Sequence, residues 1–330
     1  MYKVLELFAG AGGLALGLEQ AGFETIGVVE FDKWACETLR KNRPYWNIIQ
    51  KDITTIKDIR EFISDKVDLL SGGYPCQSFS YAGNRLGIED VRGTLFYDYA
   101  RFLQQLKPKM FLAENVKGLV SHDKGRTLQT MIKVFENEGY DVTYKVLKAL
   151  DYGVAQKRER VFIVGIRKDI KYKEFEFPKP YNYQLTLKDV LKLVPPSLCA
   201  TYNDKKKEVL KLVPPGGCWR DLPDEIAKEY MKTTYFMSGG RTGIARRLSW
   251  DEPGLTVLCS PSQKQTERCH PDEVRPFSVR ENARIQSFPD EWEFCGSLSQ
   301  QYKQVGNAVP VNLAKEVGIA IKNYLKDANV

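Results

Sequence analysis

Lys3-Val4-Leu5-Glu6-Leu7-Phe8 is followed by Ala9-Gly10-Ala11-Gly12-Gly13, and then by Leu14, Leu16, Leu18 and Ala21 before a stop at Gly22. An apolar strand, a glycine turn and a helical stretch make the first unit of a doubly wound, mostly parallel α/β sheet. The turn lacks the strict G-x-G-x-x-G spacing of a dinucleotide fingerprint, which argues against a pyrophosphate ligand. The second strand, Thr25-Ile26-Gly27-Val28-Val29, closes on Glu30-Phe31-Asp32. A carboxylate there is placed to accept from both hydroxyls of a ribose, with Phe31 beside it to stack on a base. Asp32 caps a helix that runs to about residue 42. A third strand covers residues 47 to 50, and Asp52 and Ile53 lie in the loop beyond it, the carboxylate within reach of an adenine amino group. Taken singly, Glu30 and Asp52 are also explained by capping and solubility. Together, at strand ends beside a glycine turn, they favour an adenosine-containing cofactor without a pyrophosphate.

Working outward, the apolar run Val67-Asp68-Leu69-Leu70 delivers Ser71-Gly72-Gly73-Tyr74-Pro75-Cys76-Gln77-Ser78-Phe79-Ser80. Two glycines allow a sharp turn and a close approach to a ligand, and Pro75 stiffens the chain next to the Cys76 sulfur. Residues 92 to 106 read as a helix stopped by Pro108, and residues 109 to 113 as a fifth strand ending in Glu114-Asn115-Val116. That carboxyl group faces the same crevice as the thiol. A helix over 125 to 139, a strand over 141 to 150 and a strand over 161 to 166 follow. Before the last strand stand Arg158 and Arg160, which on an extended segment point the same way. A solvated surface pair is the plain alternative for them.

The 330 residues, 43% hydrophobic and 28% charged, suffice for a sizeable core and for two domains. No apolar run approaches the ~20 residues of a membrane span and the first residues lack a signal peptide's plan, so the expected location is the cytoplasm. Seven cysteines form no C-x-x-C pair and only two histidines are present, which leads us to expect reduced thiols and no metal. A formal charge of +7 suits a polyanionic partner.

Six short motifs, in this order, carry a resemblance: Phe8-x-Gly10-x-Gly12, Pro75-Cys76-Gln77, Glu114-Asn115-Val116, Gln156-x-Arg158-x-Arg160, Arg280-Glu281-x-Ala283-Arg284 and Gly306-Asn307-Ala308-Val309. In order and approximate spacing the chain resembles the DNA cytosine-5 methyltransferases of bacterial restriction-modification systems, over essentially its whole length. The resemblance implies the S-adenosylmethionine-dependent methyltransferase fold, double-stranded DNA as substrate and S-adenosylmethionine as cofactor. It implies a cognate restriction endonuclease as a genetic partner, and we expect a monomer. Cys76 then attacks carbon 6 of a flipped-out cytosine, Glu114 supplies a proton or hydrogen bond at ring nitrogen 3, and Arg158 and Arg160 contact the base and a nearby phosphate. The cofactor falls to Phe8, Ala9, Gly10, Gly12, Gly13, Glu30, Phe31, Asp52, Ile53, Pro75, Asn307 and Ala308. A tRNA methyltransferase of the same fold and chemistry is the alternative activity.

After Arg167 the composition shifts toward Lys, Pro, Gly and polar residues, and no helical periodicity of any length follows residues 187 to 193. We therefore expect a catalytic and cofactor-binding domain over 1–177, a smaller loop-rich target-recognition domain over 178–277, and a return segment over 278–330. Arg241, Arg246, Gln263, Lys264 and Arg268 in the second region offer side chains for guanine edges and phosphates. Thr256 matches a family threonine near the extruded nucleotide, and Gln77, Ser78, Ser80 and Arg92 flank the thiol as further DNA contacts. Helices are expected over 280 to 288 and from about 311 to 325, the last packing back against the first strand.

Overall fold

The computed structural model describes residues 1–75, 95–170, 172–261, 263 and 266–330. Its strands are β1 (Lys3–Leu7), β2 (Glu24–Glu30), β3 (Ile48–Gln50), β4 (Leu69–Gly72), β5 (Met110–Val116), β6 (Tyr140–Lys148), the two-residue β7 (Gln156–Lys157), β8 (Glu159–Arg167) and β9 (Gly254–Leu255). The helices are α1 (Gly13–Gln20), α2 (Lys33–Asn42), α3 (Leu95–Leu106), α4 (Arg126–Asn137), α5 (Leu187–Val190), α6 (Asp204–Lys211), α7 (Asp224–Met231), α8 (Val279–Ile285), α9 (Leu298–Asn307) and α10 (Val311–Asp327). By contacts the chain divides into two units. The first comprises Met1–Tyr152, Glu159–Asn182 and Ala308–Val330, and the second Gly153–Arg158 and Tyr183–Asn307. Their limits differ from residues 177 and 277, because α8 and α9 pack on each other within the second unit while only α10 returns to the first.

The first unit is built on a seven-stranded sheet in the order β3-β2-β1-β4-β5-β8-β6. Strands β1 to β5 pair in parallel, and β8 runs antiparallel to both β5 and β6. The order reverses between β1 and β4, which is where an open α/β sheet leaves a crevice outside the carboxyl ends of its strands. Continuous apolar runs bury its central strands β1, β4, β5 and β8, and Leu5, Leu70, Phe96, Phe111, Phe135 and Ile163 share its core. Asp32 caps α2 as its position suggested, its Oδ1 accepting from the Trp34 and Ala35 amides.

The last helix packs against α1 rather than against the first strand. A Cβ on Gly17 would lie 2.4 Å from Ala314 Cβ and 2.6 Å from the Val311 carbonyl oxygen, so the two helices meet backbone to backbone at that glycine. Lys322 adds a hydrogen bond from Nζ to the Ala21 carbonyl, which closes the C-terminal end of α1.

The second unit is less loop-dominated than its composition led us to expect. Helices α6 and α7 carry Asn203 as N-cap and Pro223 before an acidic first turn, signals that are legible in short helices even where periodicity is not. They bury Leu210, Ala227, Tyr230 and Met231 against Ile244, Ala245 and Cys269.

Because the Gly17 contact involves backbone atoms that cannot step aside, Gly17→Ala should destabilise the chain by about 1–2 kcal/mol despite alanine's higher helix propensity. Urea unfolding of the variant checks this, and unchanged stability would show that α1 and α10 separate without cost.

Candidate active site

Register decides which side chains share the edge of the sheet. Leu7 pairs with Val29 on one side and with Gly72 on the other, and Gly72 pairs with Ala113. The next residue on each chain, Phe8, Glu30, Gly73 and Glu114, therefore stands at the same carboxyl-terminal level. The expectations for Glu30 and Glu114 came from separate strand ends, and the register brings them to one edge of the first unit.

The turn after β1 is tight: the Gly12 amide donates to the Ala9 carbonyl at 2.9 Å, and Phe8, Gly10 and Gly12 all have positive φ. At Gly12, φ is 84°, a conformation that favours glycine, and the helix α1 starts immediately after it. Glu30 is buried and ties this turn to the end of β2. Its Oε2 accepts from the Gly10 amide at 2.7 Å, and its Oε1 from the Phe31 and Asp32 amides at 2.9 and 2.8 Å. Burial raises its pKa, against the pull of those three donors. The ring of Phe31 is 71% exposed beside it. Asp52 is an N-cap as well as a candidate ligand, since its Oδ1 accepts from the Thr54 amide and hydroxyl, which lowers its pKa. The Ile53 side chain is buried, and its carbonyl accepts from Arg101.

Glu114 lies two residues before the end of β5, 8% exposed, with the Arg160 guanidinium donating from Nε to its Oε1 at 2.9 Å. The antiparallel strand makes this pair: Val116 lies opposite Arg160 and Glu114 opposite Phe162, so the two side chains are diagonal neighbours. Gly73 gives the carboxylate room, because a Cβ there would lie 2.8 Å from Glu114 Oε2. Neither Gly72 nor Gly73 adopts positive φ, so close approach rather than a sharp turn requires glycine here. Asn115, which sequence reasoning assigned no task, donates from Nδ2 to the Tyr74 carbonyl at 2.9 Å. Tyr74 is itself locked edge-on against Phe96 and Tyr99. The chain is thus fixed as far as Pro75, while Cys76, Gln77, Ser78, Ser80, Arg92 and Lys264 lie outside the described residues.

The two arginines of the Gln156-x-Arg158-x-Arg160 motif do not act as a pair. The extended run breaks at Arg158, between β7 and β8, and the two belong to different units. Arg158 is 2% exposed and donates to the Val257 and Gly306 carbonyls at 3.4 and 3.1 Å. Beside it, buried Gln156 exchanges hydrogen bonds with Gln286 Oε1 and the Val257 amide, and Gln286 continues to the Val305 carbonyl. A satisfied buried amide chain of this kind fixes a unique packing. Arg280 and Arg284 likewise hold carbonyls, of Pro289 and Trp292 and of Lys192 and Leu193. Asn307, also in the second unit, accepts from the Cys259 thiol at 2.8 Å, and buried Ala308 belongs to the first. The Thr256 hydroxyl donates to the Lys157 carbonyl, Gln263 is exposed, and Arg241, Arg246 and Arg268 are partly exposed.

Comparison with known proteins bears on this arrangement. The model of the C-5 cytosine-specific DNA methylases matches residues 2–323. The chain belongs to that family. Among curated relatives, the type II methyltransferase M.Sau96I of Staphylococcus aureus is 61% identical over 99% of this chain and 77% of its own length. M.Eco47II of Escherichia coli is 54% identical over 100% and 81%, and M.HhaI of Haemophilus parahaemolyticus 34% identical over 98% and 95%. A solved structure of an E. coli prophage-encoded protein, provisionally described as a DNA modification methyltransferase, has a TM-score of 0.74 at 25% identity over 99% of this chain and 100% of that one. The methylase is thus a DNA cytosine-5 methyltransferase with the S-adenosylmethionine-dependent fold, and family and fold imply S-adenosylmethionine as methyl donor. Its residues fit that group: space is open above Gly10, where a Cβ would meet nothing within 4 Å, and Phe31 presents an exposed ring next to Glu30.

One methylase residue was missed altogether. Glu6, in the middle of β1, is buried beneath the turn, where its carboxyl accepts from the Ser71 hydroxyl and the Ala15 amide near the start of α1. A charged residue inside an apolar strand was the available signal. Desolvation pushes it up to about 8, with Glu30 and Glu114 adding and the two donors opposing. Burial also disqualifies other thiols, lifting Cys36 to about 12 and Cys269 to about 11.

Since the folded Glu6 holds its proton up to about 8 against 4.5 for an ordinary carboxyl, it stabilises the fold fully below the lower value and loses that contribution as pH rises through the higher one. Thermal melts from about pH 6 to about pH 9 should show a steeper decline for wild type than for Glu6→Gln, and parallel curves would refute this. At the other carboxyl, Gly73→Ala should displace Glu114 and cut methyl transfer by about 10²-fold while leaving the melting temperature nearly unchanged. Full activity in that variant would mean the Glu114 position is not critical.

Proposed function

We propose that this protein methylates carbon 5 of one cytosine in a short specific site of duplex DNA, through a covalent adduct of Cys76 to a base flipped out of the helix. The observation that carries the reading is Glu114: a buried carboxyl, held by Arg160 and seated over Gly73, at the strand edge next to the loop that enters Cys76. Carbon 5 of cytosine is too weak a nucleophile to take a methyl group until a thiolate adds at carbon 6 and turns the ring into an enamine. Glu114 holds a proton or hydrogen bond at ring nitrogen 3, which draws charge away as the sulfur attacks. Loss of the carbon 5 proton and departure of the Cys76 sulfur then restore the aromatic ring.

S-adenosylmethionine supplies the electrophilic methyl group. Phe8, Ala9, Gly10, Gly12 and Gly13 cradle it, Glu30 accepts from the ribose, Phe31 stacks on the adenine, Asp52 and Ile53 meet the adenine edge, and Pro75, Asn307 and Ala308 complete its contacts. The base cannot be approached while stacked, so the nucleotide must leave the duplex, at a cost of a few kcal/mol in unpairing. Gln77, Ser78, Ser80 and Arg92 contact DNA around it. Relatives named as type II methyltransferases support a role in protecting host DNA from a cognate endonuclease.

Duplex DNA carrying 5-fluorocytosine at the methylated position tests the adduct, because fluorine cannot leave as a cation. With S-adenosylmethionine present, the enzyme should become trapped in a complex that survives denaturation, with the crosslink on the peptide containing Tyr74-Pro75-Cys76-Gln77. No trapped complex on a verified substrate, or an adduct at Cys259, would overturn the mechanism. Glu114→Gln keeps the shape and removes the titratable proton, and single-turnover rates should fall by about 10²-fold or more.

A further inference from the structure

In the second unit a short parallel bridge pairs Arg247 with Cys269, supported by hydrogen bonds from the Cys269 amide to the Arg246 carbonyl and from the Leu248 amide to the Cys269 carbonyl, both 3.0 Å. Arg246 and Arg268 precede the bridged residues on the two segments and so stand side by side. Each Nε is buried with no hydrogen-bond partner. Glu267 points away, wholly buried and accepting from Lys206, Tyr230 and the Ala245 amide. Glu252 is the nearest acid to Arg246, at 3.8 Å, and Lys157 stands 3.8 Å from the same oxygen. Two cations thus share one half-exposed carboxylate, and among the described residues no carboxylate forms an ion pair with Arg268. Desolvation, with the charge of Arg246 next in weight, pulls Arg268 down to about 10, the mark of a guanidinium short of negative charge.

Two adjacent arginines with so little negative charge beside them are costly unless an anion joins them. Both Nε atoms are buried, and Arg268 Nη1 is tied to the Glu267 carbonyl, which favours contact at the surface over insertion into a groove to read a base edge. Only 19% of the Arg246 side chain reaches solvent, which suits a ligand that comes to the surface. We propose that Arg246 and Arg268 together seat a single phosphodiester of the substrate duplex, fixing how the strand lies without contributing to sequence choice. The proposal rests on duplex DNA being the substrate, and it assigns these two residues to the backbone rather than to guanine edges.

The test uses the full chain and two duplex fragments of equal length, one containing a cytosine whose methylation by this enzyme has been mapped by bisulfite sequencing and one lacking that site. Dissociation constants across a salt series should show Arg268→Gln weakening both duplexes by the same factor, on the order of 3- to 10-fold, with the slope of log affinity against log salt shallower by about one. Arg246→Gln should do the same, and the double variant should lose no more slope than either single one. Arg268→Lys should recover most of the loss, which a collapsed fold would not allow. Arg246 provides the second measurement should Arg268→Gln melt early. Unchanged slopes, a loss confined to the cognate duplex, or additive slopes in the double variant would each overturn the shared seat while wild-type methylation left the proposed function standing. A wild type that neither bound nor methylated any duplex would remove both.

Discussion

An ion pair across two antiparallel strands governs the first unit. A carboxylate brought to the end of a buried parallel strand is costly unless a cation meets it there. In a wholly parallel sheet the neighbouring strand would also be ending at that level, and its first residues would lie at the far side of the sheet. Because β8 runs the other way, its opening residue Glu159 and then Arg160 arrive where β5 closes, and the guanidinium reaches Glu114 diagonally at 2.9 Å. Much of the surrounding geometry accommodates that pair: Gly73 leaves space for Oε2, and Asn115 anchors Tyr74 so that the following chain leaves the sheet in one direction.

The same logic of holding acids with fixed donors recurs along the sheet edge. Glu30 is met by three backbone amides, Asp52 by Thr54, and Glu6 by a hydroxyl and an amide. Each carboxyl serves the fold before any ligand arrives. Groups positioned this way need little reorganisation on binding, which is the usual advantage of a preorganised polar site.

The fold was legible because its signals are local. A strand of apolar residues, a glycine turn and an apolar helix read the same in sequence and in space, and Asp32 caps α2 where its position suggested. Side-chain partnerships were not legible, since they depend on which strand lies next to which. Arg158 and Arg160 are two residues apart, yet one is buried among carbonyls of Val257 and Gly306 and the other holds Glu114. Nothing in a spacing of two reveals a change of unit between them. Helices α6 and α7 were overlooked for a different reason: with eight residues each they complete barely two turns, too few for a period to register.

The junction of α1 with α10 also governs when the protein can assemble. Residues Gly17 and Ala314 are in contact across a long sequence separation, so the helix that follows the glycine turn lacks its packing surface until residues 311–327 have emerged. Loop-closure entropy makes such distant pairings late events in folding. A nascent chain on the ribosome therefore carries its glycine turn on an uncovered helix until residues 311–327 are made, exposed to chaperones and proteases. Synthesis of residues 311–327 and burial of α1 are coupled by one glycine contact.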